Sequence, residues 1–239
     1  MSSTKLCCRK SLLICLTLLL LIPGSVFARE KLGAFAEKNA GKKLAVVTLS
    51  ANNWGNSLQG WNSANTSSIM GTQLNSMLEF TEQLFAADFT VIPASQFVPA
   101  DDFQALAGEQ RDVGLPEFNG KKMQLLSKDR KQLIKATVDK NVTQKLAQIT
   151  GADYLLLIYS EWTVATGKFV PTSKSLTKNV VSIIDANGKT VYSGRQDTQG
   201  NKTLGGMGSV VVNNDTIGEW VVAYEKALRA LYEQGHKKK

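Results

Sequence analysis

Few side chains in this sequence have a type and a position suited to catalysis. The one histidine, His236, lies in the basic tail at residues 235–239, where we expect it to have no fixed position. A histidine base must be held in place by the packing around it. The three cysteines, Cys7, Cys8 and Cys15, all lie near the N-terminus. We therefore expect no catalytic residue of these types and no zinc or thiolate metal site.

Paired carboxylates remain as candidates for acid–base chemistry of the glycosidase kind. Asp153 and Glu161 lie at the two ends of an apolar run. Eight residues of one strand span about 26 Å, whereas glycosidase carboxyl groups lie roughly 5–10 Å apart. The polar clusters at 101–102 and 213–215 lack the spacing of a calcium-binding loop. We therefore expect a protein that is not an enzyme and that has neither a metal nor a cofactor.

Two tryptophans supply the best candidate binding site. Trp54 and Trp61 lie in a loop, residues 50–68, that is otherwise rich in Asn, Ser and Gly. Such rings can stack on a sugar or fill a pocket of a partner protein. They can equally fold back over the edge of a sheet, and the sequence leaves both alternatives open. The candidate binding residues are Trp54, Trp61 and the neighbouring Asn53.

The elements that would position these residues alternate between strand and helix patterns. Apolar, β-rich runs predict strands at 43–49, 88–92, 153–159, 180–184 and 190–193. Apolar residues three and four apart predict helices at 68–85, at 127–150, where one long helix or two short ones would both fit, and at 216–231. Asn187-Gly188 between apolar runs predicts a hairpin. The order β-α-β-α-β-β-β-α predicts the α/β (α+β) class, with a single mixed β-sheet and packed helices in one domain, 29–234, that has a loose insertion near 93–126.

The last helix has the clearest apolar face. We expect this face to pack on the strand at 154–159, and Thr216 with Glu219 to form a capping box at the start of the helix. The residues of the face are Ile217, Trp220, Tyr224, Leu228 and Leu231.

The N-terminus has the three parts of a secretory signal peptide at residues 1–28. Lys5, Arg9 and Lys10 precede an apolar run at 11–22, and small residues lead to a cleavage site near Ala28. The run is shorter than the roughly 20 residues that a membrane span needs. The expected mature chain is therefore free of cysteine and disulfide, has no membrane span, and is periplasmic or secreted.

The charge of the chain argues against one class of partner. The net charge is +8, and the signal peptide and the C-terminal Lys237–Lys239 carry much of it. Nucleic-acid surfaces cluster Lys and Arg with aromatic residues, whereas the remaining lysines are scattered here. We expect no nucleic-acid binding.

Several segments together resemble a known family. They are residues 44–48, 89–93, 146–156, where Gly-Ala-Asp-Tyr leads into a buried strand, and the hairpin 180–193. In these segments the chain resembles the family that includes the curli secretion-channel lipoprotein, the lipoprotein activator of penicillin-binding proteins and the N-terminal domain of the periplasmic protein TolB. It departs from the lipid-anchored members because its mature part has no N-terminal cysteine.

The resemblance implies an envelope protein that works by binding other proteins. We therefore predict a non-enzymatic, periplasmic binding or assembly protein that acts through protein–protein contacts. Its partner would be another envelope protein or a second copy of itself. The alternative is a carbohydrate- or peptidoglycan-binding module that uses the loop at 50–68 to hold a cell-wall glycan.

Overall fold

A five-stranded mixed sheet with packed helices forms the centre of the fold, as the α/β class predicts. The computed structural model describes residues 30–53, 58–59, 63–106, 113–167, 169, 172–206, 210–211 and 213–236. The elements in chain order are α1 (Leu32–Lys38), β1 (Lys43–Asn52), β2 (Leu58–Gln59), α2 (Ser63–Phe85), β3 (Thr90–Ile92), α3 (Ala94–Phe97), α4 (Asp101–Gln104), β4 (Glu117–Phe118), β5 (Lys121–Lys122), α5 (Arg130–Leu133), α6 (Lys140–Thr150), β6 (Tyr154–Thr166), β7 (Thr172–Asp185), β8 (Thr190–Gly206), β9 (Val210–Val211) and α7 (Gly218–Glu233).

The main sheet has the strand order β3-β1-β6-β7-β8. The strand β1 pairs parallel with β3 and β6, while β6, β7 and β8 follow one another antiparallel. The predicted alternation of strands and helices is thus confirmed for the main sheet. The short pairs β2–β9 and β4–β5, which the sequence did not predict, form two further two-stranded sheets.

The β7–β8 hairpin turns at the predicted Asn-Gly. Gly188 has φ 86°, a left-handed conformation that glycine adopts without strain. The Asp185 carbonyl accepts from the Gly188 N–H at 2.9 Å, and the Asp185 N–H donates to the Lys189 carbonyl at 2.9 Å. The local sequence therefore fixes the register at the closed end of the hairpin.

Three helices, α1, α2 and α7, pack on one side of the sheet, here called the α7 face. Phe35 of α1 meets Tyr154 of β6 edge-on at 5.4 Å between ring centroids. The hydroxyls of Thr81 in α2 and Tyr224 in α7 are hydrogen-bonded at 2.7 Å. On the opposite face, the Ser182 hydroxyl donates to the carbonyl of Lys135, just after α5.

The apolar face of α7 is buried as predicted, but its neighbours differ from the prediction. It packs mainly on β7 and β8, where the prediction had placed residues 154–159 of β6, because the hairpin lies directly under the helix. Trp220 reaches β6 further along, where its ring stacks on Trp162 at 6.0 Å. All five predicted residues of the face are at most 3% exposed.

The predicted capping box is wrong. The Thr216 hydroxyl donates to the carbonyl of Val211, at 2.7 Å, and makes no cap hydrogen bond to the helix. The Glu219 carboxylate turns to β8 instead of back to the helix start. Both side chains tie the helix to neighbouring segments, so the helix begins without a side-chain cap at Gly218.

The last three strands of the sheet are longer than predicted. β6, β7 and β8 have 13, 14 and 17 residues. The prediction ended each strand where its apolar residues ended, but the backbone pairing continues through Ser, Thr, Asn and Gln. Because of these polar residues, the hydrophobic pattern missed about two-thirds of the residues in the three strands.

The segment between β3 and α5 adds buried residues of its own. Phe97 and Phe103 meet at 5.2 Å between ring centroids, and Met123 is fully buried. The described residues from Lys31 onward group as one compact unit. Within the described ranges, no helix is long and apolar enough to cross a membrane.

Candidate functional site

The strands β6, β7 and β8 extend further than β1 at one end of the sheet. Asn52, the last residue of β1, lies opposite Glu161, and β6 then runs on to Thr166. Residues 162–166, 172–177 and 198–206 of β6, β7 and β8 form what we call the three-stranded extension. The extension places polar strands at one end of the sheet. Its two faces and its outer edge are therefore the candidate binding surfaces.

On the α7 face the extension is buried yet polar. Alternate residues of β7 point to this face and are 0% exposed: Ser173, Ser175, Thr177 and Asn179. We call them the polar stripe. An apolar strand would need only packing, but a buried polar one must find a hydrogen-bond partner for each group.

The polar stripe finds these partners within the protein. The Ser160 hydroxyl donates to Asn179 Oδ1 at 2.7 Å, and it accepts from Trp162 Nε1 at 3.1 Å. Asn179 Nδ2 donates to Thr177 Oγ1 at 3.0 Å and to the Gln196 carbonyl at 3.2 Å. These bonds join β6, β7 and β8, so the stripe stabilises the extension and does not present itself to a ligand.

A bulge in β8 is held by the start of α7. Leu176 pairs with Gln199 and Lys174 with Thr203, so residues 200–202 of β8 face a single residue of β7. The bulge turns the N–H groups of Asn201 and Lys202 towards Glu219 Oε2, which accepts both at 3.2 Å. A Cβ at Gly200 would collide with the Ser175 hydroxyl, so the close approach requires glycine.

The ionised form of Glu219 suits this position. Burial by itself would raise the pKa of Glu219. Hydrogen bonds from the backbone and side chain of Lys202, its positive charge and the Asn201 N–H outweigh burial, and the pKa is lowered. The residue Glu219 is 7% exposed, and Lys202 Nζ lies 3.3 Å from its Oε1. Glu219 therefore anchors α7 to the edge strand as a charged group.

Among the described residues, the outer edge of β8 is unpaired along the strand, whereas β1, near the other edge of the sheet, is partly paired by the short strand β3 and by Gly114. At the other edge β3 pairs with the start of β1, and Ala51 and Gly114 exchange two backbone hydrogen bonds, at 2.9 and 2.8 Å. In the described part of the chain, no strand pairs with the outer edge of β8. A long strand with an unpaired edge is a template for pairing with another chain.

Two charged residues mark the middle of this edge strand. Arg195 donates to Asp197 through Nε and Nη2, both at 2.8 Å, and the two side chains are 59% and 42% exposed. The hydrogen bond and the charge of Asp197 raise the pKa of Arg195. The pair faces away from α7, on the opposite face, where Lys178 Nζ also lies 3.0 Å from Glu161 Oε1.

The predicted binding residues are only partly within the described structure. Asn53 follows β1 directly and is half-buried. Trp54 and Trp61 lie outside the described residues. Nearby on β1, Thr48 Oγ1 and Asn52 Oδ1 are buried and find no hydrogen-bond partner among the residues that the structure describes. The binding site expected at Trp54 and Trp61 therefore stays a prediction.

The two carboxylates considered for catalysis are each occupied. Asp153 Oδ2 accepts from the Lys43 N–H at 2.9 Å, and Glu161 binds Lys178. The unbroken strand β6 lies between them. Among the described residues, no three His, Cys, Asp or Glu side chains come close enough to hold a metal ion.

His236 has a fixed position, contrary to expectation. Its Nε2 lies 3.1 Å from Asp88 Oδ2, which also accepts from the Tyr232 hydroxyl, and its ring centroid is 4.9 Å from that of Tyr232. The Gly33 N–H donates to the Gln234 carbonyl at 2.9 Å. The cluster joins the end of α7 to the segment before β3. Sequence patterns could not find it, because Asp88 and His236 are 148 residues apart.

Comparison with known proteins finds no matching family model and no matching curated protein. Among solved structures, the chain is similar to lipoprotein GNA1162 from Neisseria meningitidis, at 18% identity and TM-score 0.34 over 80% of this chain and 99% of that one. It is also similar to a PelC dodecamer from Paraburkholderia phytofirmans, at 15% identity and TM-score 0.32. That similarity covers 81% of this chain and 90% of the PelC chain. A third similar structure is the hypothetical protein CT253 from Chlamydia trachomatis, at 12% identity and TM-score 0.37. That similarity covers 80% of this chain and 94% of CT253. Similarities this low carry no argument about function, which must rest on the residues of this chain.

Proposed function

We propose that this chain is an exported, non-enzymatic binding or assembly protein of the cell envelope, which acts through protein–protein contacts. The signal-peptide pattern at residues 1–28 supports export. The observation that carries the proposal is the edge strand β8, which has 17 residues and an unpaired outer edge among the described residues.

The outer edge of β8 is suited to recognition because contacts with the rest of the sheet and with α7 fix the position of the strand. The polar stripe joins β8 to β7 and β6, and Glu219 fixes the bulge at 200–202. A strand that is already ordered loses little conformational entropy when a partner strand pairs with it. Main-chain hydrogen bonds then give affinity, and exposed side chains such as Gln199 give specificity.

The state of the acidic residues supports a role without catalysis. Asp153, Glu161, Asp197 and Glu219 each hold a hydrogen-bond donor. A general base or nucleophile must be able to take up a proton or attack a substrate. The hydrogen bonds of these carboxylates instead join neighbouring parts of the fold. The carbohydrate alternative at Trp54 and Trp61 gains no support from the described residues.

The test is site-specific photo-crosslinking in intact cells. A photoreactive amino acid replaces the exposed Gln199 on β8, and the matched control replaces the exposed Gln144 on α6. We expect an adduct with an envelope protein, or with the chain itself, at Gln199 and several-fold less at Gln144. Equal adducts at both positions, or adducts with cytoplasmic proteins alone, would contradict the proposal.

A further inference from the structure

We propose that the partner of the β8 edge is a second copy of this chain, paired antiparallel about a two-fold axis at Gln196. This inference rests on the proposed function and names its partner and register. Such an interface presents the same surface from both copies, as most homodimer interfaces do. The two sheets would join into one continuous sheet through their edge strands.

The regular part of β8 limits the possible registers. Its pairing with β7 shifts three times: between Thr190 and Tyr192, at the bulge of residues 200–202, and between Thr203 and Gly205. The regular segment is therefore 192–199. An axis at Gln196 pairs residues 193–199 of one copy with the same residues of the other, which uses almost all of this segment. Seven paired residues span about 23 Å.

The alternation of side chains between the two faces of the sheet reduces the number of possible registers further. Directly opposite residues in antiparallel strands point to the same face. With the two-fold axis perpendicular to the sheet, only registers in which the axis passes through a residue satisfy this condition. Four registers therefore keep most of the regular segment paired, and their axes lie at residues 194, 195, 196 and 197.

Charge selects one of these registers. With the axis at Gln196, Arg195 of each copy lies directly opposite Asp197 of the other, so two opposite-charge pairs form. An axis at 195 would instead bring the two copies of Arg195 together, and an axis at 197 the two copies of Asp197. Like charges directly opposite each other destabilise a strand pair, whereas opposite charges stabilise it. An axis at 194 forms no charge pair.

The remaining residues are compatible with this register. Ser193 lies opposite Gln199 and Gly194 opposite Thr198, so no like charges meet between 193 and 199. Arg195 and Asp197 already point to the same face and are both partly exposed. The two intrachain pairs can keep their bonds while the four charges alternate across the interface, as charge-assisted bonds in a network do.

Charge-reversal variants test the inference. We expect the mature wild-type chain to sediment as a dimer and the variants Arg195→Asp and Asp197→Arg each to sediment as a monomer. Equal mixing of these two variants restores a dimer, because each then meets its opposite charge. The double variant Arg195→Asp/Asp197→Arg also restores it. We expect thermal melts to show each variant folded, since both side chains are partly exposed.

A cysteine placed on the axis gives a second measurement. The mature chain has no cysteine, so Gln196→Cys introduces one thiol per copy, opposite its equivalent. We expect it to form an intermolecular disulfide under mild oxidation. The matched control, Gln199→Cys, faces Ser193 of the other copy and stays reduced.

The two proposals fail in different ways. A monomeric wild-type chain, or a dimer that both single charge variants keep, would overturn the self-pairing while leaving a crosslinked partner at Gln199 free to support the proposed function. The absence of any specific adduct at Gln199 would overturn the proposed function itself. Disulfides at Gln199→Cys but not at Gln196→Cys would overturn the register.

Discussion

The two halves of β7 lie under the same layer of helices, but the buried side chains of one half are apolar and those of the other are polar. Towards the hairpin turn, Val181 and Ile183 form part of the apolar core. Towards the extension, the equally buried positions hold the polar stripe, Ser173, Ser175, Thr177 and Asn179. Burial on this face therefore does not by itself require apolar residues. It requires either packing or a complete set of hydrogen bonds.

The two kinds of interior have different consequences. An apolar interior accepts small changes of position, whereas a polar one is stable only when each donor and acceptor meets its partner. Ser175 donates to the Glu219 carbonyl at 2.9 Å, and Trp220 Nε1 donates to the Thr163 carbonyl at 2.9 Å. The polar half thus fixes where α7 begins over the edge strand, which the apolar half cannot do.

The largest expected effect comes from removing the element that covers both halves. Ending the chain after Asn214 deletes α7, including Trp220, Tyr224 and Leu228, all fully buried. Each such side chain contributes about 1.5–3 kcal/mol by burial, against a typical stability of about 5–15 kcal/mol. We expect no cooperative thermal melt, as followed by circular dichroism.

A shorter truncation is the control for this deletion. Ending the chain after His236 keeps α7 and the contact of His236 with Asp88. We expect its melting temperature to equal that of the full mature chain. A cooperative melt from the Asn214 truncation would show that the halves of β7 do not depend on α7.

The second prediction compares the two halves directly. Asn179→Ala removes the bonds to Ser160, Thr177 and Gln196, and we expect a loss of about 1–3 kcal/mol in the free energy of unfolding in urea. Ile183→Ala, in the apolar half, is the reference at about 2–5 kcal/mol.

A double variant separates packing from hydrogen bonding. Ser160→Ala should cost less when Asn179 is already alanine, because the bond between them has gone and the two sites are coupled. Leu156→Ala combined with Ile183→Ala gives the same test for the apolar half. Strict additivity for Ser160 and Asn179 would mean that the polar stripe acts through packing alone.

The same contrast explains what the sequence could predict. Apolar runs indicated β1, the first part of β6 and the buried face of α7, and Asn187-Gly188 indicated the hairpin. In these places local pattern and burial agree. The extension gave no such signal, because the buried residues of its central strand β7 are Ser and Thr, which also occur in loops.

The candidate site was hidden for a related reason. An open edge strand is recognised by the absence of a neighbour, which depends on the order of strands and not on the residues of β8. The contacts of His236 with Asp88 and of Glu219 with β8 join distant parts of the chain. The tryptophans that drew attention in the sequence, Trp54 and Trp61, lie outside the described residues and remain a prediction.

The smallest expected effect concerns the charge that links α7 to the edge strand. Glu219→Gln keeps an oxygen that can accept from the Asn201 and Lys202 N–H groups but removes the charge. Bonds to charged groups contribute about 1.5–3 kcal/mol, and the exposure of Lys202 weakens its share. We expect a loss of about 1 kcal/mol at pH 7, measured by urea denaturation.

The pH dependence of this loss identifies its cause. The pKa of Glu219 is lowered in the folded protein from its ordinary value of 4.5, so the folded state binds its proton less readily than the unfolded state does. The stabilisation is therefore complete above about pH 5 and declines as the pH falls through 4.5 towards the folded pKa. The wild-type and Glu219→Gln curves should converge in that range. Lys202→Gln, which keeps the carboxylate, serves as the control and should lose less stability at pH 7. A difference between wild type and Glu219→Gln that stays constant from pH 7 to pH 3 would show that shape, and not charge, holds α7 to the bulge of β8.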